Sequence, residues 1–225
     1  GSVRGWVSRH PYGAIFLGAL ALRVAVAVVV ALLLPQLSFF DDGTYSQLAQ
    51  ERLDGRSEQW DSYASWLYVH TGTLLFPLTL LYQIFGPHDL VGPLLVAPFG
   101  AGVAAVVARL VTLAVDLRRG ILAGCFLALL PSQVLISSVL AKDAMTWFLL
   151  SSLALALASA ATTTSARRVW WLVVLSSGLL ALLGLLRLHT MTVAAVALLL
   201  AAAFGLRETR FPRLAGFGAV AVLVP

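Results

Sequence analysis

Three polar stretches interrupt an otherwise apolar chain, and each carries residue types able to do chemistry. The first is Asp41-Asp42-Gly43-Thr44-Tyr45. Two adjacent carboxylates can hold a divalent cation (Mg or Mn) through oxygen ligands, or one can take a proton from an acceptor hydroxyl. The plainer reading of Asp42 is the N-cap of a weakly amphipathic helix Thr44–Leu53. The second stretch is Lys142-Asp143, which holds the chain's single lysine. An ammonium there can bind a phosphate as a point charge, while Asp143 can cap a helix Ala144–Ala161. The third is Arg187-Leu188-His189, in a short turn between apolar runs. Arginine suits bidentate phosphate binding, and His189 can donate to a phosphate or carry a proton. Snorkelling to lipid headgroups is the plainer role for Arg187.

The elements that must position these residues are membrane helices. Of 225 residues 60% are hydrophobic and 11% charged, against about 25% charged in a soluble domain. The apolar residues gather in runs near the ~20 residues a helix needs to cross a bilayer. These predict an all-α, polytopic transmembrane helix bundle. Spans are expected at about 12–34, 90–115, 121–140, 144–161, 169–186 and 191–206, with another beginning at 214–225. Helices at about 42–54 and 66–85 are expected along the membrane surface. The net charge of +5 does not indicate a nucleic-acid partner, because the arginines cluster between apolar runs, where they act as topology signals. Cys125 is the single cysteine, so no disulfide framework exists within the chain. The cut-off run after Leu214 suggests a piece of a longer protein.

Arginine counting sets the orientation. If 66–85 crossed the bilayer, Arg4/Arg9, Arg118/Arg119 and Arg167/Arg168 would fall on both sides without pattern. If it does not cross, these pairs and Arg207/Arg210/Arg213 all fall inside. His70, Thr71, Gly72, Thr73, Pro77, Thr79 and Gln83 interrupt the segment, as suits an interfacial helix. The acidic stretch 41–61, Lys142-Asp143 and Arg187/His189 then share the outer face. Within the spans, Arg23 should pair with something or face a wet cavity, a partner inside the bundle being the plainer reading, Arg109 can snorkel inward, and Pro131 should bend its helix. Ser132, Gln133, Ser137 and Ser138 form a polar stripe suited to helix packing. Trp60, Trp66, Trp147, Trp170 and Trp171 are expected as interfacial anchors.

Taken as a set, these stretches resemble the C-type (GT-C) glycosyltransferases, in particular protein-mannosyltransferase-like and Rgt-type bacterial members. The resemblance rests on Asp41-Asp42-Gly43-Thr44-Tyr45 continuing to Ala49. It rests also on Leu74 to Gly86 (LLFPLTLLYQIFG) with a span ending in Asp116-Leu117-Arg118-Arg119, and on Leu130-Pro131-Ser132 with Ser137 and Lys142-Asp143-Ala144-Met145. Arg187 ahead of a polar residue is similar too. The resemblance implies an inverting transfer of sugar from a polyprenyl-phosphate carrier at the outer face of a bacterial inner membrane. It makes Asp41 the base and Asp42 its acidic neighbour, and adds Tyr45 and Asp143 to the substrate-binding residues. Asp41, Asp42 and Asp143 would hold any metal. Family members are usually longer, which implies a missing C-terminal domain or a partner subunit.

Two other classes compete: a transporter or flippase of a lipid-linked substrate, and a non-catalytic membrane module. A transporter is expected to show inverted repeats or helices broken near mid-membrane, and the sequence shows neither. One outcome is common to the topology on which all this rests. Single cysteines placed at 41 and 143 in a Cys125→Ser background should both be modified by an impermeant maleimide from the outer face. Labelling of 143 from the cytosolic face alone would remove the shared outer site.

Overall fold

Lipid offers the backbone no hydrogen-bonding partner, so long apolar runs must close their bonds internally as helices. The computed structural model describes residues 9–33 and 40–207, with backbone alone for 40–42 and 200–207. The described residues are helical, without strands. In chain order the helices are α1 (Pro11–Leu33), α2 (Phe40–Leu53), α3 (Ser62–His70), α4 (Gly72–Phe85), α5 (Val91–Ala114), α6 (Leu117–Leu129), α7 (Pro131–Ile136), α8 (Lys142–Thr162), α9 (Ala166–Gly184) and α10 (Leu188–Arg207). A 3-10 turn, Arg56–Gln59, lies between α2 and α3. Four of these, α1, α5, α8 and α9, are long and apolar enough to cross a membrane. The expected span at 214–225 lies outside the described residues.

Two expectations change. The stretch 121–140 is not one helix. Leu130 is extended (φ −61°, ψ 117°) and Pro131 opens a new helix at its first position, where its missing N–H costs nothing. Proline therefore breaks the helix rather than bending it. The 13 residues of α6 and the 6 of α7 reach about 20 and 9 Å at the α-helical rise. The stretch 66–85 is two helices, α3 and α4, divided at Thr71, whose hydroxyl donates back to the Leu67 carbonyl at 2.6 Å. With 14 residues, α4 spans about 21 Å, short of the ~30 Å hydrocarbon layer.

The chain divides into two compact units, Gly1–Phe148 and Leu149–Pro225, with α8 running from one into the other. In the first, α1, α5 and α6 pack around a core of small residues: Ala19, Ala101, Ala104, Ala108 and Ala128, with Ile15. Gly120, Gly124 and Ala128 recur every four residues, one face of α6. A methyl group on Gly120 would collide with Thr112 and the Ala108 carbonyl. One on Gly124 would sit 2.7 Å from the Ala108 Cβ and 3.0 Å from the Ala104 carbonyl. Small residues let two backbones approach this closely, the usual basis of helix contact in lipid.

Arg23, near the middle of α1, is fully buried. Its Nε donates to Ser137 Oγ at 2.7 Å, and its Nη1 donates to the carbonyls of Ala19 (3.0 Å) and Ala128 (3.3 Å). The Ala128 carbonyl lies in the last turn of α6, beside the break. Ser137 in turn donates to the Gln133 carbonyl, and Ser138 to that of Val134. Gly100 on α5 leaves the room: a Cβ there would overlap Ser137 and lie 2.9 Å from Arg23 Nε. The partner expected for Arg23 is thus the broken helix itself.

In the second unit, α9 buries Ser176, Leu179, Leu180 and Leu183. A Cβ on Gly184 would meet the Met191 sulfur at 2.7 Å, so α9 and α10 approach closely at their turn.

Gly100→Val should destabilise the protein by about 1–3 kcal/mol through overpacking. Gly18→Ala, at a position with open space around it, should cost nothing. Denaturation in detergent micelles, followed by the loss of helical circular dichroism, measures both.

Candidate functional site

Helix α2 starts at Phe40, earlier than the acidic pair, so Asp42 lies inside its first turn rather than at its N-cap. The side chains of Asp41 and Asp42 lie outside the described residues. Their backbone positions are four and three residues before Tyr45, on the same helical face, in the turn where the helix dipole favours negative charge. That face continues as the buried row Tyr45, Leu48 and Ala49.

Tyr45 is 2% exposed, and Lys142 Nζ lies over its ring, 5.4 Å from the centroid. This is within the range of a cation–π contact, worth about 0.5–2 kcal/mol depending on desolvation. Residues almost a hundred positions apart thereby meet: the second turn of α2 and the first of α8. Lys142 opens α8, and Asp143 sits half-buried in the same first turn. Asp143 is therefore not the N-cap expected for helix Ala144–Ala161.

Beside this buried row, α2 is tied to α4. Ser46 Oγ and Tyr82 Oη are 2.9 Å apart, and Gln50 Nε2 donates to Ser46 Oγ at 3.2 Å. Leu74, Leu75 and Leu78 of α4 are fully buried. On the α5 side, Gly92 packs on Leu140, just ahead of Lys142. Further into α8, Phe148 packs edge-on to Phe99 (5.6 Å, 70°) and against Gly102. These contacts fix the start of α8, and with it Lys142, against α5.

The far end of α2 carries a second arrangement. Glu51 accepts from Gln47 Nε2 at 2.7 Å and from the Trp60 indole at 2.8 Å. These two bonds, helped by Arg56, hold its carboxyl below the usual range. The Trp60 ring also packs 5.1 Å from that of Tyr68, and Tyr68 is hydrogen-bonded to Thr79 at 3.2 Å. Trp60, expected as a lipid anchor, thus has partners within the protein. Trp66, Trp170 and Trp171 are more than half exposed.

Of the other expected site residues, Arg187 and His189 belong to the second unit. Arg187 is half-buried in the turn after α9, with its N–H donating to the Leu183 carbonyl at 2.7 Å, and His189 is exposed. Arg109 is exposed and lies over the Tyr12 ring at 5.4 Å, its guanidinium 3.4 Å from the Tyr12 hydroxyl. No three His, Cys, Asp or Glu side chains cluster as metal ligands among the described residues, a set without the side chains of Asp41 and Asp42. Sequence reading missed Tyr82, Gly100 and the Glu51–Trp60 contact. Only Gly100 left a trace there, as a small residue among small residues. Comparison of the chain with models of protein families, with curated proteins and with solved structures gives no match.

The Glu51 contacts carry a pH signature. A carboxyl lowered by folding contributes stability above its unfolded value, and loses it as pH falls through its folded value. The Trp60 indole N–H resonance should therefore hold steady through Glu51's ordinary value of 4.5 and shift only at lower pH. Trp60→Phe should move the Glu51 carboxyl titration upward, as followed by NMR.

Proposed function

We propose that this chain is a membrane glycosyltransferase that takes a sugar from a polyprenyl-phosphate carrier. The observation that supports the reading is the meeting of Tyr45 and Lys142. Tyr45 follows Asp41 and Asp42 by one helical turn, which supports reading the chain's only lysine as part of the same site. A carboxylate pair next to a cation is what such a transfer needs. Asp41 takes the proton of the acceptor hydroxyl as its oxygen attacks the anomeric carbon. The bond from that carbon to the phosphate oxygen breaks, and its electron pair leaves with the polyprenyl phosphate. Lys142 neutralises the charge that develops on the leaving phosphate. Asp42 orients the acceptor, and the pair Asp41/Asp42 is where a divalent cation would sit. Attack from the face opposite the carrier inverts the anomeric centre. The shortness of α4 and the division at Thr71 support placing α3 and α4 along the outer surface. With α6 and α7 together making one crossing, the proposed site lies at the extracytoplasmic face.

One observation favours a second reading, a transporter of a lipid-linked anion. The helix broken at Leu130–Pro131, with a buried cation at the break, is a feature expected of transporters. The two readings part on the product. A transferase makes a new glycosidic bond, whereas a transporter moves substrate across sealed vesicles unchanged.

Asp41→Asn should abolish transfer of radiolabelled sugar from a polyprenyl-phosphate donor while the donor still binds. Normal transfer by this variant would remove Asp41 as the base. Lys142→Met should weaken donor use by about tenfold to a hundredfold, the loss of a charge-assisted hydrogen bond of ~1.5–3 kcal/mol. The KM for the donor reads it.

A further inference from the structure

An apolar groove of about 610 Å³ runs between α1 and α6 in the first unit. Its walls include Ala14, Gly18 and Leu22 from α1, and Ile121, Cys125 and Leu129 from α6. Gly18 has nothing within 4 Å of where its Cβ would be, so the groove is unfilled there. One end reaches Ala19 and Ala128, whose carbonyls accept from Arg23. The other end is formed by Pro11 and Leu117, and at this end the lining gives way to positive charge. Arg9 precedes Pro11 by two residues, and Arg118 follows Leu117. Arg118 stands on the helical face of Ile121 and Cys125, three and seven residues on. Arg9 and Arg118 are exposed, and neither forms an ion pair among the described residues. The nearby Asp116 is directed to Arg119, at 3.5 Å from its Nε and accepting its backbone N–H.

We infer that this groove is a binding site for an anionic phospholipid, its acyl chain lying between α1 and α6 and its phosphate held by Arg9 and Arg118. The assignment uses the membrane reading of α1 but not the proposed sugar transfer. A hydrocarbon chain is the solvent of a groove at this depth. The two arginines distinguish an anionic head from a zwitterionic one, because basic residues at the mouth of an interhelical groove attract anionic lipid. A partner helix would fill the groove equally well, but would leave the arginines without a charge to meet.

Cys125 lines the groove, is exposed, and is the only cysteine, so its alkylation by N-ethylmaleimide reports occupancy without engineering. Added to the whole chain in detergent, phosphatidylglycerol should slow the reaction and phosphatidylcholine should not. Arg9→Gln and Arg118→Gln, both at exposed positions, should each raise the phosphatidylglycerol needed by about fivefold, at ~1 kcal/mol per charge. Gly18→Leu should fill the groove and lower the phosphatidylglycerol that co-purifies, read by mass spectrometry. Equal protection by both lipids, or by neither, would overturn the assignment. So would protection that rises with protein concentration at fixed lipid, the mark of a second copy in the groove, or Gly18→Leu retaining lipid as the parent does.

Discussion

Arg23 is the interaction around which the first unit is built. An arginine at the centre of a membrane helix costs about 2.5–3.5 kcal/mol to insert. Among the described residues it forms no ion pair, and its hydrogen bonds end on neutral oxygens of Ser137, Ala19 and Ala128. Each hydrogen bond to a charged group contributes roughly 1.5–3 kcal/mol, so these bonds offset the insertion cost. The Ala128 bond gains further from its place at the negative end of α6. Removal of the break would take away the Ser137 and Ala128 acceptors, and removal of the arginine would leave the Ala128 carbonyl without its donor. Gly100 then has to remain without a side chain, since the guanidinium and Ser137 occupy the space.

The same break shapes the candidate site. After α7 the chain turns through residues 137–141 and begins α8 at Lys142. Ser137 and Leu140 are both buried, one against Arg23 and the other against Gly92, so the short connection is fixed on both sides. Lys142 is therefore delivered over the Tyr45 ring by a short turn packed on both sides. On the other partner, α2 is fixed by Ser46 to Tyr82 and by its row of Tyr45, Leu48 and Ala49.

The helices were legible because lipid leaves the chain few choices: an apolar run of span length reads as one element. The exceptions have local causes. Pro131 bends no helix. It ends one, and buried Arg23 donates to the Ala128 carbonyl in the last turn before the break, while Ser137 and Ser138 donate to the Gln133 and Val134 carbonyls of the short helix after it. The helix starts at 40 and 142 came earlier than the N-caps expected at Asp42 and Asp143, since boundaries depend on which carbonyls find partners and not on which residues can cap. In the site, the residue types Asp41, Tyr45 and Lys142 stood out from the sequence. The approach of Tyr45 to Lys142 could only be guessed there from a shared side of the membrane. Tyr82 was invisible, because a tyrosine on an apolar helix reads as core until its hydroxyl is seen to face Ser46. The Glu51–Trp60 contact was hidden for the same reason, a tryptophan near a boundary having an adequate explanation in lipid.

The separation of Arg23 from its partners bears on biogenesis. Ser137 follows Arg23 by 114 residues. When α1 leaves the translocon, neither the serine nor the open end of α6 has been synthesised. The apolar character of α1 must carry a bare guanidinium into the bilayer, or hold it near a headgroup, through the synthesis of half the chain. Final seating of α1 is then a late event in assembly, triggered by the arrival of a helix too short to stand across the membrane alone.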